Sequence, residues 1–124
     1  MQTSKPVAVW FEIPATDFDR AATFYETLLG VTLRREAMGS MTLGVFPYEA
    51  PASSGCIMAG PGIAPAADGT IIYLNADGRL DTALEAAWSA GGTVLMPATE
   101  LPDGMGRFAH VRDTEGNRIG LHAA

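Results

Sequence analysis

The chain has 124 residues, 8 of them basic and 14 acidic, for a formal net charge of −6. Hydrophobic residues make up 48% and charged residues 18%, which excludes a disordered chain and fits one compact domain with a buried core. A pI near 4.7 with scattered Lys and Arg excludes a nucleic-acid surface, and no apolar run nears the roughly 20 residues that span a bilayer.

The opening MQTSKPVAVW lacks the pattern of a signal peptide. One cysteine, Cys56, forms neither an internal disulfide nor a thiolate metal site, so a reducing cytoplasm is the expected location. These properties suit a soluble enzyme or a small-molecule binder.

In chain order, Val7 to Ile13 is rich in β-branched and aromatic residues and reads as a strand. A helix follows, with Phe18, Ala21, Ala22, Tyr25, Leu28 and Leu29 recurring at three- and four-residue steps. Thr16 or Asp17 suits its N-cap and Gly30 its left-handed stop. Val31 to Arg35, Met41 to Pro47 and Cys56 to Gly60 read as three more strands. The Pro/Gly/Ala-rich stretch Pro61 to Gly69 then reads as a linker.

The same order of signals begins again 60 residues on, with Asp77 in the place of Asp17. Thr70 to Asn75 is the strand. Leu80, Ala83, Leu84, Ala87 and Trp88 mark a helix that begins near Asp77 and stops at Gly91-Gly92. Thr93 to Met96, Arg107 to Arg112 and Arg118 to His122 are strands, with an exposed loop expected over Pro97 to Gly106. A turn at Asp113 to Asn117, with Gly116 at a positive φ, joins the last two. The fold class is α+β, with two βαβββ modules at about residues 5–60 and 70–124 around the linker at 61–69.

Three passages carry a resemblance that covers nearly the whole chain: FEIPATDFDRAATFYETLLG (Phe11 to Gly30), TIIYLNADGRLDTALEAAWSAGG (Thr70 to Gly92) and DTEGNRIGLH (Asp113 to His122). Together they resemble the vicinal oxygen chelate superfamily of glyoxalase I, bleomycin-resistance proteins and extradiol dioxygenases. The resemblance implies that the modules' sheets curl around a cup-shaped cavity and that the protein is a homodimer. It also implies, in the metal-dependent members, one divalent cation held by His, Gln or Glu from the first and last strands of the modules.

Carried over by position, the ligand places fall on Trp10, Thr70 and Gly120, and on the Cys56 to Gly60 strand, which has no carboxylate or imidazole. Tryptophan and glycine do not ligate metals, so neither a metal nor another cofactor is expected. Strand alternation puts Glu12 on the face of Trp10 and His122 on the face of Gly120, as a carboxylate and an imidazole able to exchange protons with a ligand. His110 is a third candidate on either face, Arg107 is placed to close the mouth of the cup, and Tyr73 is expected to point away into helix packing.

Trp10, Thr70, His110, Arg107 and Gly120 are thus candidate ligand-binding positions, with Trp10 as an aromatic wall for a flat ligand. Plainer readings stand beside these. Glu12 can bond backbone or Arg118, His122 can be a solvated residue near the C-terminus, His110 a satisfied sheet histidine, and Trp10 core. Phe24, Tyr25 and Trp88 read as core, and Cys56 as a buried, inert thiol. Three functions compete: a metal-free enzyme of lyase or isomerase type, a drug- or metabolite-sequestering protein, and a metal-dependent glyoxalase-like lyase with displaced ligands. All three take a small molecule as partner, and none needs nucleic acid or membrane.

Overall fold

The computed structural model describes residues 6–124, so the expected module start at residue 5 lies just outside it. The first half contains β1 (Trp10–Pro14), α1 (Phe18–Leu29), β2 (Arg34–Met38), β3 (Met41–Val45) and β4 (Ser54–Ala59). The second contains β5 (Tyr73–Asn75), α2 (Leu80–Ser89), β6 (Thr93–Glu100), β7 (Arg107–Arg112) and β8 (Arg118–Ala123). Two four-stranded mixed sheets result, ordered β1-β4-β3-β2 and β5-β8-β7-β6, and each has one parallel pair at its start. The sheets do not close into a barrel. No helix among the described residues is long and apolar enough to cross a membrane.

Helix α1 follows its sequence signals. The Asp17 side chain accepts from the Arg20 amide at 3.0 Å, and Gly30, at φ 66°, returns its own amide to the Glu26 carbonyl. Ala21, Ala22, Phe24, Tyr25 and Leu28 form its buried face. Helix α2 departs from its signals, because it starts at Leu80 with Arg79 as an N-cap that makes no side-chain cap bond. Asp77 does not cap it: its carboxylate accepts the Ala124 amide at 2.7 Å, and the chain turns through Gly78 at φ 72° before the helix begins.

Two further expectations are corrected. Trp88 is 71% exposed, because the buried stripe of α2 is only Leu80, Ala83 and Ala87, and Trp88 lies a step around the helix from it. Strand β6 continues to Glu100, through Pro97, where a loop was expected. It is an edge strand with irregular register between Val94 and Thr99, the setting in which a sheet tolerates proline.

One apolar core unites both halves. Ile13, Phe24, Tyr25, Leu28 and Ile57 of the first pack with Leu74, Leu80, Val111, Ile119 and Leu121 of the second. Phe24, as expected, is fully buried, with Tyr25 edge-on to it at a centroid distance of 5.1 Å.

The turn between β7 and β8 ties the halves together with polar bonds. Asp113, buried, accepts from the Tyr25 hydroxyl, the Asn117 side-chain amide and the backbone amides of Glu115 and Asn117. Asn117 also donates to the Pro14 carbonyl at 2.7 Å. The neighbouring Glu115 carboxylate takes the Thr16 and Asp17 amides, both at 2.8 Å, and the Arg20 guanidinium. At the other end of α1, Arg79 donates to the Leu28 carbonyl at 3.1 Å. The second module therefore places an anion at the positive end of α1 and a cation at its negative end.

Candidate functional site

Each sheet has one face under the helices and one face free of them. In β8, Ile119, Leu121 and Ala123 belong to the core, so alternation sends Arg118, Gly120 and His122 to the free face. In β7, Ala109 and Val111 face the core, and Phe108 and His110 share the free face. In β5, Leu74 faces the core and Tyr73 the free side. In β1, Ile13 is core, and Trp10 and Glu12 lie opposite it.

Tyr73 therefore does not point into helix packing. The buried residues explain the difference: Ile13 and Ala15 correspond to Leu74 and Ala76, an offset of 61, whereas the two aspartates are 60 apart. One residue of slip exchanges the faces of a strand. Tyr73 thus occupies the second module's equivalent of Glu12, and Thr70 lies before β5, exposed.

Tyr73, Gly120 and His110 stand side by side across β5, β8 and β7. The glycine between them has no side chain, and the tyrosine ring lies over it; a Cβ at Gly120 would meet Tyr73 Cδ2 at 2.4 Å. Across this gap Tyr73 Oη reaches His110 Nε2 at 2.7 Å. Arg118 Nη1 lies 2.8 Å from the other ring nitrogen, Nδ1. Burial first, and the guanidinium second, hold the His110 imidazole below its ordinary pKa. Phe108 completes an aromatic cluster, 6.3 Å from Tyr73 and 5.7 Å from His110 between ring centroids.

A cleft of about 310 Å³ opens over this cluster, lined by Tyr73, Phe108, His122, Leu101 and Met105. The last two belong to the turn after β6, which is closed by a 2.8 Å bond from the Leu101 amide to the Gly106 carbonyl. His122 Nε2 donates to the Met105 carbonyl at 2.7 Å and fastens that turn over the sheet. Hydrophobic side chains dominate the lining, and the volume falls at the small end of those that hold organic ligands.

The other candidates lie elsewhere. Glu12 and Thr70 line a smaller hollow of about 140 Å³, of mixed polar and apolar lining, with Asp68, Asn117 and Arg118, so Glu12 and His122 do not share a cavity. Arg107 turns toward α2, where it pairs with Asp81 at 3.5 Å, and it does not stand at the mouth of the cleft. Trp10 is 44% exposed on the free face of β1 rather than in the core. Cys56 is buried, and desolvation pushes its thiol up to about 11, in keeping with an inert role. Alternation assigned His122 to its face, but neither the Tyr73–His110 bond nor the Met105 contact had a signal in the strand pattern.

Paired βαβββ modules with a ligand-sized cleft on the helix-free face define the class. Residues 8–121 match the model of the Glyoxalase/Bleomycin resistance protein/Dioxygenase superfamily, and the chain belongs to that superfamily. It is 32% identical over 111 residues to a glyoxylase-like domain-containing protein of Didymella fabae, covering 86% of this chain and 84% of that protein. Among solved structures, a glyoxylase/bleomycin resistance protein/dioxygenase domain from Frankia sp. EAN1pec superposes with a TM-score of 0.73 at 16% identity, covering 97% of this chain and 98% of that one. TnmS3, an antibiotic binding protein from Streptomyces sp. CB03234, superposes with a TM-score of 0.69 at 21% identity, covering 98% of each chain. At these identities the two structures establish the fold.

By position, the places that hold the superfamily's divalent metal fall in this chain on Trp10, Thr70 and Gly120. No group of three or more His, Cys, Asp or Glu side chains converges among the described residues. At Gly120, the Tyr73 ring fills the space where a ligating side chain would begin. The Gly120→Ala protein tests this packing. Tyr73, 48% exposed, swings outward to admit the methyl group, for a cost of about 1 kcal/mol, and its bond to His110 is lost. Denaturant unfolding checks the cost, and imidazole NMR shifts report the lost bond.

Proposed function

We propose that this protein binds a small, largely apolar organic molecule in the cleft over β5, β7 and β8, without a catalytic metal. One observation carries the reading: the largely apolar lining of Tyr73, Phe108, Leu101 and Met105, with the Tyr73 and His122 side chains as its polar groups. Burying a flat or aliphatic ligand against these side chains supplies affinity, and the few polar groups select among ligands of similar size. TnmS3, described as antibiotic-binding, supports the idea that this scaffold serves as a receptor, and sequestration is the function favoured here. Proton transfer by Glu12 and His122 acting together is disfavoured, because the two line separate cavities.

A thermal-shift screen of apolar small molecules, followed by NMR titration of the best one, tests the reading. The expected result is shift changes centred on Tyr73, Phe108, Leu101 and Met105, with the molecule recovered unchanged. A charge placed on the cleft floor by Phe108→Asp lowers affinity by about tenfold or more. Binding mapped to another face, conversion of the molecule, or a stoichiometric transition metal in the purified protein overturns the corresponding part of the proposal.

A further inference from the structure

We infer that the molecule held in this cleft is a carbonyl compound whose oxygen accepts a hydrogen bond from the Tyr73 hydroxyl. The inference rests on the cleft being the binding site and adds the chemistry of the ligand.

Donors and acceptors form a chain from Arg118 through His110 to Tyr73. A guanidinium has only N–H donors, so Arg118 Nη1, 2.8 Å from His110 Nδ1, requires that nitrogen to carry its lone pair. A neutral imidazole with a bare Nδ1 carries its hydrogen on Nε2. His110 Nε2 therefore donates to Tyr73 Oη across 2.7 Å, and the tyrosine oxygen is the acceptor in that bond. The phenolic hydrogen is thus turned away from His110, and Tyr73 Oη has no other partner among the described residues.

Tyr73 lines the cleft and its hydroxyl is left to donate. Once a ligand fills the cleft and excludes water, an unmatched donor is costly, so the site favours a molecule that brings an acceptor oxygen. A ketone or quinone carbonyl on an apolar frame meets both requirements: its body packs against Phe108, Leu101 and Met105, and its oxygen takes the phenolic hydrogen. Accepting from His110 also polarises the tyrosine O–H, which makes it a stronger donor. In this scheme Arg118 and His110 are positioning residues, and Tyr73 is the group that touches the ligand.

The test compares two probes of nearly equal shape, 2-acetylnaphthalene and 2-ethylnaphthalene, by calorimetric or fluorescence titration. The ketone binds the parent protein about tenfold tighter than the hydrocarbon. In Tyr73→Phe that preference falls to near unity, chiefly through weaker ketone binding. In Arg118→Met, which frees His110 to take the other tautomer and draw the phenolic hydrogen to itself, the preference also falls, while hydrocarbon affinity is retained. Infrared spectra of the bound ketone show its C=O stretch at lower frequency in the parent protein than in Tyr73→Phe. Equal affinity for the two probes in the parent protein, or a preference that survives Tyr73→Phe, overturns the carbonyl assignment and leaves the cleft standing. Binding of neither probe removes the cleft reading and the assignment together.

Discussion

In urea or thermal unfolding, the Asp113→Ala protein is about 3–4 kcal/mol less stable than the parent chain. Asp113 is 4% exposed and accepts four hydrogen bonds, from the Tyr25 hydroxyl, the Asn117 side chain and two backbone amides of its own turn. Truncation leaves these donors facing one another around a small void, and enclosed donors without acceptors cost more than the bonds themselves contributed. Tyr25→Phe removes a single donor from a carboxylate that keeps three, so it costs only about 1 kcal/mol. The two effects also differ in kind. Burial is the main reason the Tyr25 phenol titrates well above its ordinary range, and the Asp113 charge and hydrogen bond add to it. In Asp113→Ala the tyrosine titrates lower, which ultraviolet difference spectra detect. A loss of less than about 1 kcal/mol in Asp113→Ala would mean that this turn does not hold the modules together.

This network explains why the D-x-x-G-N passage was the most legible part of the sequence. Its aspartate and asparagine are structural, and Gly116, at φ 98°, makes the turn around them. Such local demands leave a trace in consecutive residues. The helix ends at Asp17 and Gly30 were legible for the same reason, since a cap is a property of its own neighbours. Asp77 shows the limit of that signal: it has the composition of a cap, but the C-terminal backbone, distant in sequence, claims its carboxylate.

The site was less legible, and the reasons are geometric. Strand faces repeat every two residues, so an offset of 60 where 61 applies turned Tyr73 toward the wrong side and brought Thr70 forward in its place. The Tyr73–His110 bond crosses over Gly120, and a glycine in one strand gives no hint of which ring from another will lie on it. Leu101 and Met105 sit in a turn whose position over the sheet depends on His122. Glu12 and His122 were each placed on the right kind of face, but alternation says nothing about which of two hollows a face serves.

The second large effect is electrostatic and depends on pH. Burial opposes charge on Glu115, but the bonds from Arg20, the Asp17 amide, Thr114 and the Thr16 amide outweigh it and hold the carboxyl at about 2. Unfolding releases the group to the ordinary glutamate range near 4.3, so between those values the unfolded chain binds the extra proton. The stability Glu115 supplies is therefore complete above about pH 4.5 and is lost as the pH falls toward 2. At pH 7, Glu115→Gln, which keeps the size and loses the charge, costs about 2 kcal/mol, as expected for charge-assisted bonds to two amides and a guanidinium. Because other carboxylates titrate in both proteins, the informative quantity is the difference between them. Parallel denaturant titrations at pH 7, 4.5, 3.5 and 2.5 should show that difference shrinking steadily below about pH 4.5. A gap that stays constant down to pH 2.5 would mean that the Glu115 charge contributes nothing to joining β8 and α1.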